Sequence, residues 1–523
     1  MKQVRSLSLA TALAAVVVVA LLGATNIVWA GSGGVPVPGG PPVPGDDADR
    51  GPDRPAGDQR PNIVFVLTDD FSWDLVRHMP RVRALQRRGV TFSQYFVANS
   101  LCCPSRAAIM TGAFPHNNGI FTNAGEQGGF LGFRRRGLEQ LTFATALSGG
   151  GYRTALMGKY LNSYNPYAER TPAGWTDWVG SDRVYAGYDY VMNVNGRLEQ
   201  RGSGPEDYVT DVLSQKGNEF VEDAASDRRP FFLEVSTYAP HKPYTPAPRH
   251  ARAFRHLRAP RGPAFNRENV NAPSWLQRRP RTRAEIRQLD KIFRDRVRSV
   301  QAVDELVGRL QATLQARGLA ENTYFVFSSD NGYHLGQHRL MPGKTTAFDH
   351  DIHVPLIVTG PGVPAGTVSE HITQSVDLHP TFADLAGVPP APLVDGRSLV
   401  PLLRGQRVNG WRRAAFIEHR GGDYHPSDPD LPPPGSGSMP PTYKAVRTPG
   451  ALYVEYRTGE REFYDLLRDP AQIHNVYHQV RPERRARLRA TLAALRRCRG
   501  TQSCWSAGLM STDLRRPQRR AAR

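Results

Sequence analysis

Cysteine is scarce, with four in 523 residues, and acids are few, with 48 Asp and Glu against 67 Lys and Arg. The chain has no zinc-finger spacing and no aromatic RNA-binding motif, which excludes a specific nucleic-acid module despite a net charge of +19. No internal repeat is present, so a solenoid or propeller array is excluded as well. No twin-arginine pair precedes the N-terminal apolar run, so any export is expected to occur in an unfolded state.

That apolar run, about Leu9 to Leu22, follows Lys2 and Arg5 and leads to Val28-Trp29-Ala30 before Gly31. These are the charged, apolar and small-residue parts of a secretory signal, so residues 1–30 are expected to be a signal peptide and the protein secreted or extracytoplasmic. An uncleaved membrane anchor is the alternative, because the run approaches the lower end of a spanning length. Residues 31–60 are crowded with Gly, Pro and Asp without apolar periodicity and are expected to be a linker. The remaining length exceeds what one core usually supports, which suggests a catalytic domain at 61–405, a smaller C-terminal subdomain at 406–505 and a basic tail at 506–523.

The cysteines form two close pairs, Cys102/Cys103 and Cys498/Cys504. In an exported chain the second pair can oxidise to a small disulfide loop. Adjacent Cys102 and Cys103 are poorly placed to bridge each other and need a different explanation. Positive charge concentrates at 249–298 and 481–523. It reads either as a solvated face or as attraction to polyanions such as sulfated polymers or anionic cell-surface material.

Several short apolar runs stop abruptly at polar residues. Asn62–Thr68 ends in Asp69-Asp70, Arg153–Gly158 in Lys159, and Thr323–Ser329 in Asp330-Asn331-Gly332, while Phe231–Ser236 leads to His241. Val354–Thr359 is a further run. Such runs fit strands covered on both faces. Between them, apolar residues from Ile286 to Leu314 recur at helical spacing, with Gly318 as a stop. The alternation predicts an α/β fold, a mostly parallel central sheet sandwiched by helices, whose strand ends converge in one cleft. Beyond about Arg404, Ala414–Ile417, Thr442–Val446 and Leu452–Tyr456 read as a smaller antiparallel sheet, with a loop at Pro426–Pro441 and a helix near Pro482–Arg497.

Three carboxylates and an amide, Asp69, Asp70, Asp330 and Asn331, suit a hard divalent cation, Ca²⁺ or Mg²⁺. Leu101-Cys102-Cys103-Pro104-Ser105-Arg106 places a cysteine where an apolar helix begins, in the positive field of its N-terminus. Taken alone, Cys102 reads as a thiolate nucleophile or as half of a buried structural pair.

With Thr111-Gly112, this segment resembles the signature of the type I sulfatases, Cys-x-Pro-Ser-Arg followed by a helix and Thr-Gly. The resemblance extends from Pro61 to about Val476 through Gly158-Lys159-Tyr160-Leu161-Asn162, Ala239-Pro240-His241, Ser329–Gly332, Val354-Pro355-Leu356 and Phe463–Leu466. It implies an alkaline phosphatase-like fold and a Cys102 oxidised to formylglycine by a formylglycine-generating enzyme acting on the unfolded chain. In this chemistry one hydroxyl of the hydrated aldehyde attacks sulfur and the other later expels sulfate. By the same resemblance Asp69, Asp70, Asp330, Asn331 and modified Cys102 hold the metal. Arg106 holds the formylglycine region, Lys159 and Lys344 contact sulfate, and His241 contacts sulfate or protonates the leaving oxygen.

One departure stands out. Many sulfatases carry Lys-x-His where this chain has Lys159-Tyr160-Leu161, so the histidine thought to assist sulfate release is missing and Asn162 is left to fill part of the space. The Gly-Lys-Tyr-Leu-Asn and Cys-Cys-Pro-Ser-Arg forms, with Phe348–Ile352, are similar to the N-acetylglucosamine-6-sulfatase branch, although His353 stands where that branch usually has a basic residue. The expected activity is hydrolysis of sulfate monoesters on glucosamine-6-sulfate-like carbohydrates. The alternatives are a phosphodiesterase or phosphonate monoester hydrolase of the same superfamily and a noncatalytic protein that binds sulfated polymers.

Overall fold

The computed structural model describes residues 60–509 except 182, 228, 423–427, 429 and 431–438. The expected signal, nearly all of the linker and most of the basic tail and of the Pro426–Pro441 loop lie outside the described residues.

The apolar run β1 (Asn62–Thr68) is buried at every position. It forms the axis of a ten-stranded sheet. Beside it on one side lie β8 (Phe231–Ser236), β4 (Arg153–Lys159) and β5 (Asp177–Ser181), and on the other β9 (Thr323–Ser329), all parallel. The register sets Val66 between Val235 and Phe327. Antiparallel pairings occur only toward the edges, where β10 (Leu356–Thr359) follows β9 and β6 (Tyr190–Val194) follows β5. The strand expected from Val354 starts at Leu356 instead, because Pro355 has no N–H to give a ladder.

Alternation along β1 divides the core into two layers. Ile63, Phe65 and Leu67 pack with the helices Cys102–Thr111, Phe143–Gly149 and Leu378–Leu385. Val64 and Val66 pack with Pro80–Arg88, Val209–Ala224 and Arg283–Ala316. The last of these is the long helix foreseen from periodicity. A capping box, in which Thr282 accepts from the Glu285 N–H, opens it, and Gly318 follows its end at φ 67°. Much of the basic stretch around this helix is ion-paired: Arg249 with Asp211 and Glu305, Arg261 with Asp290, and Lys291 and Arg298 with Asp295.

The C-terminal part is a four-stranded antiparallel sheet, with strands at Ala415–His419, Tyr443–Thr448, Ala451–Tyr456 and Arg461–Asp465. Ile417, Ala445 and Val454 face the main core, while Phe416, Val446 and Tyr453 meet Leu488, Leu492 and Leu495 of the helix Pro482–Leu495. Cys498 and Cys504 are disulfide-bonded, and the helix containing Cys504 continues to Leu509, past the subdomain limit expected at 505.

Leu306 is fully buried on the long helix. Leu306→Ala is expected to cost about 2–5 kcal/mol in a urea unfolding titration through lost burial and a residual cavity.

Candidate active site

Four neighbouring parallel strands deliver polar residues to one edge of the sheet. In the order β9, β1, β8, β4 they end at Asp330-Asn331, Asp69-Asp70, the segment leading to His241, and Lys159. This is the side on which parallel sheets bind ligands. Asp70 has a left-handed backbone at φ 62°. Its N–H donates to Asp330 Oδ1 at 3.2 Å, and its carbonyl accepts from Arg296 Nη2 at 2.7 Å, so both neighbours hold a conformation that side chains other than glycine adopt uncommonly. Gly158 permits a close approach, since a Cβ there would lie 2.1 Å from the Ser236 carbonyl oxygen.

Cys102 is the first residue of a helix that is buried along its whole length. Its Sγ lies 3.3 Å from Asp69 Oδ1 and 2.8 Å from Lys344 Nζ. Burial, reinforced by Asp69, pushes the thiol well above its ordinary range against the opposing pull of Lys159 and Lys344. A thiol held protonated is a poor nucleophile. Cys103 is also free and buried, and its N–H donates to Asn123 Oδ1 at 3.0 Å. Both cysteines are therefore unbridged, as their adjacency suggested.

Arg106 ties the helix to the sheet. Its Nε donates to Asp330 Oδ2 at 2.8 Å, and its Nη1 to the Lys159 carbonyl at 3.0 Å and Ser236 Oγ at 2.6 Å. Ser105 Oγ donates to the Asp330 carbonyl.

The remaining cations surround Cys102. Lys159 Nζ lies 2.6 Å from Asp69 Oδ2, and Lys344 Nζ 2.6 Å from Asp70 Oδ1. Burial disfavours their charge, but the carboxylates outweigh it and raise both lysines well above the ordinary range. His241 Nδ1 faces the Lys242 carbonyl at 2.7 Å, and its Nε2 faces Asp430 Oδ1 at 2.9 Å and Asp70 Oδ2 at 3.7 Å. Both ring nitrogens thus face acceptors, which only the imidazolium satisfies. Burial opposes that charge, yet Asp70 and Asp430 raise the His241 pKa above its ordinary value. Asp430 is also ion-paired with Lys344 at 3.0 Å and accepts from Asn123 Nδ2 at 3.0 Å. An oxyanion therefore already sits on the donors ringed around Cys102.

The donor set fits a hard divalent cation. Ligand atoms from Asp69, Asp70, Cys102 and His241 lie within 4.8 Å of one another. The Asn331 Oδ1 atom is buried without a hydrogen-bond partner, while its Nδ2 donates to Asp70 Oδ1 at 2.7 Å. Buried carboxylates this close repel one another unless cations intervene. The Asp330 oxygens accept from Arg106 and from the N–H groups of Asp70 and Asn331, as those of Asp69 and Asp70 accept from Lys159 and Lys344.

All the residues singled out from the sequence, Asp69, Asp70, Cys102, Arg106, Lys159, His241, Asp330, Asn331 and Lys344, are buried around this cluster. Lys344, from the segment that reads as a loop, reaches it through two short contacts. Asn123, Tyr185 and Asp430 join without a motif to mark them. Tyr185 stacks on His241, and Asn162 Nδ2 donates to its hydroxyl at 3.4 Å.

Comparison with known proteins follows the same lines. The family model described as Sulfatase matches residues 61–388, and one described as N-sulphoglucosamine sulphohydrolase, C-terminal, matches 336–497. Human N-acetylglucosamine-6-sulfatase is 37% identical over 486 residues, covering 87% of this chain and 88% of the relative. A solved structure in complex with its substrate D-glucosamine-2-N,6-O-disulfate is 25% identical with a TM-score of 0.70, covering 83% of this chain and 97% of the other. The phosphonate monoester hydrolase from Silicibacter pomeroyi, 22% identical with a TM-score of 0.64 over 82% of this chain and 93% of its own, shares the fold.

Because Arg106 and Asp330 are both fully buried, Arg106→Gln leaves a carboxylate uncompensated. It is expected to lower stability by about 3–5 kcal/mol, read from chemical unfolding.

Proposed function

The chain belongs to the sulfatase family, and on that premise we propose that it hydrolyses sulfate monoesters of 6-sulfated glucosamine, using formylglycine made from Cys102 and a bound divalent cation. The observation that carries this reading is the ring of donors from Lys159, Lys344 and His241 around residue 102, with a carboxylate seated on it.

Asp69, Asp70, Asp330, Asn331 and residue 102 would hold Ca²⁺ or Mg²⁺, which supplies Lewis-acid polarisation of the sulfate oxygens. Formylglycine supplies, as its hydrate, a hydroxyl nucleophile that a buried thiol does not. The chain's own groups do the rest. Lys344 and His241, which hold the Asp430 carboxylate, would bind the sulfate in its place. Lys159 adds a fixed positive charge beside residue 102. Arg106 keeps helix and sheet in register through Asp330 and Ser236. His241, with its Nδ1 proton held by the Lys242 carbonyl, would deliver its Nε2 proton to the leaving sugar oxygen.

The likeness to human N-acetylglucosamine-6-sulfatase and to the complex with a 6-sulfated glucosamine supports the sugar. Among the described residues no helix is long and apolar enough to cross a membrane. A secreted or extracytoplasmic protein, modified before folding by a formylglycine-generating enzyme, is part of the same reading. The unequal distribution of basic charge adds an anionic cell-surface polymer as a partner.

The decisive experiment is peptide mass analysis across residue 102, in which the aldehyde or its hydrate is expected; an unmodified thiol in a fully active protein would overturn the nucleophile. Cys102→Ala is expected to abolish turnover of 4-nitrophenyl sulfate, and chelation to remove it until Ca²⁺ or Mg²⁺ is restored. Faster turnover of bis(4-nitrophenyl) phosphate than of the sulfate would favour a phosphodiesterase instead. Since the acid form of His241 is required, kcat for sugar sulfates should fall as pH rises and the imidazolium loses its proton. A rate that rises through that limb would remove His241 as the acid.

A further inference from the structure

Leu161, where the resemblance expects a histidine, is turned into the core with 2% of its surface exposed. The side chain that stands over Lys159 comes from elsewhere. Tyr185 belongs to the short 3-10 turn Val184–Ala186 between β5 and β6. Its ring stacks on the His241 imidazole with centroids 4.2 Å apart and planes 28° from parallel. Lys159 Nζ also lies over that ring, 5.3 Å from its centroid.

The tyrosine is itself held on two sides. Tyr238 packs edge-on against it at 5.8 Å and donates its hydroxyl proton to the Ser181 carbonyl at the end of β5. Asn162 Nδ2 donates to the Tyr185 hydroxyl, and Asn162 Oδ1, on a residue 3% exposed, has no partner. An aromatic face is a favourable surface for both a protonated imidazole and an ammonium. The ring thus meets two cations of the site at once, a contact that a leucine would not reproduce.

Stacking fixes the plane of a ring, whereas the hydrogen bond from Nδ1 to the Lys242 carbonyl fixes only one point on it. With both constraints, Nε2 is aimed at the oxyanion seat. Catalytic groups need placement within roughly 0.5 Å and 10–20° of the productive geometry, so the second constraint has kinetic weight. Burial pushes the Tyr185 hydroxyl well above its ordinary range, with Lys159 opposing, so this group keeps its proton and is not the missing base.

We propose that Tyr185 is a positioning residue whose ring sets the plane of His241. This rests on the reading that His241 protonates the leaving sugar oxygen. Such a role weighs most on substrates with poor leaving groups, since 4-nitrophenolate departs without an acid.

The test compares Tyr185→Leu and Tyr185→Phe in the full-length modified enzyme. On 6-sulfated glucosamine, Tyr185→Leu is expected to lower kcat by about tenfold or more with KM nearly unchanged, while 4-nitrophenyl sulfate turnover stays close to wild type. Tyr185→Phe, which keeps the ring, should stay close to wild type on both. Independently of turnover, the ring-current shift of the His241 Hε1 proton should be lost in Tyr185→Leu and retained in Tyr185→Phe. Wild-type kcat in Tyr185→Leu, equal losses in Leu and Phe, equal losses on both substrates or an unmoved His241 signal would each overturn the proposal. If the wild type hydrolyses no sulfate ester, the sulfatase reading fails, and the His241 signal still decides whether Tyr185 sets that ring.

Discussion

Carboxylates gathered in a space nearly free of water are tolerable only when cations are fixed among them, and the Arg106–Asp330 pair is where that fixing begins. Arg106 sits in the first turns of the buried helix, and Asp330 directly follows β9. Their contact decides how the helix docks on the sheet and therefore where residue 102 stands. Asp330 then passes the constraint on by accepting from the N–H of Asp70, which holds Asp70 in its left-handed conformation. Lys159 and Lys344 repeat the device one layer out, each on a carboxylate of β1's end. The cluster thus combines strong local fields with internal neutrality, a preorganised environment of the kind that stabilises developing charge without rearranging.

The sheet was legible because its strands are short, apolar and buried on both faces, so each ends sharply where polar residues begin. Asp69-Asp70 and Asp330-Asn331 could be placed together for that reason, and β9 and β1 are indeed neighbours. The long helix was legible because a stripe such as Phe293, Val297 and Val300 admits only one period. What escaped was whatever reaches the cluster across irregular chain. Tyr185 lies in a three-residue turn, and Asp430 in a Pro- and Gly-rich segment. Neither has periodicity, and their contacts span long separations, 189 residues between His241 and Asp430. Sequence distance carries no trace of such meetings. That the Asp330 carboxylate also accepts from Arg106 and from backbone N–H groups was hidden for a related reason, since such contacts leave no motif.

The two basic stretches also parted ways. At 249–298 acids from other elements meet the arginines, as when Asp211 and Glu305 both take Arg249. Charge that looks like a field in sequence is there spent locally. In the helix Pro482–Leu495 two arginines instead lie over rings, Arg484 on Phe463 and Arg485 on Tyr477, while Arg489 Nε lies 3.8 Å from Glu455. Stacking leaves a guanidinium's charge intact, so Arg484 and Arg485 are not neutralised as Arg249 is.

The complete burial of the helix at Cys102–Thr111 has a consequence in time. Another protein can act on residue 102 only while that helix is undocked. Docking depends on partners far along the chain: Ser105 and Arg106 close on Asp330, 225 and 224 residues away. Until residue 330 has been synthesised, the native seat of residue 102 cannot form, however fast local structure appears. Contacts of such long range are slow to establish. The fold therefore contains its own delay, and on the proposed reading an enzyme that modifies residue 102 would have to act before the central strand β1 closes against β9.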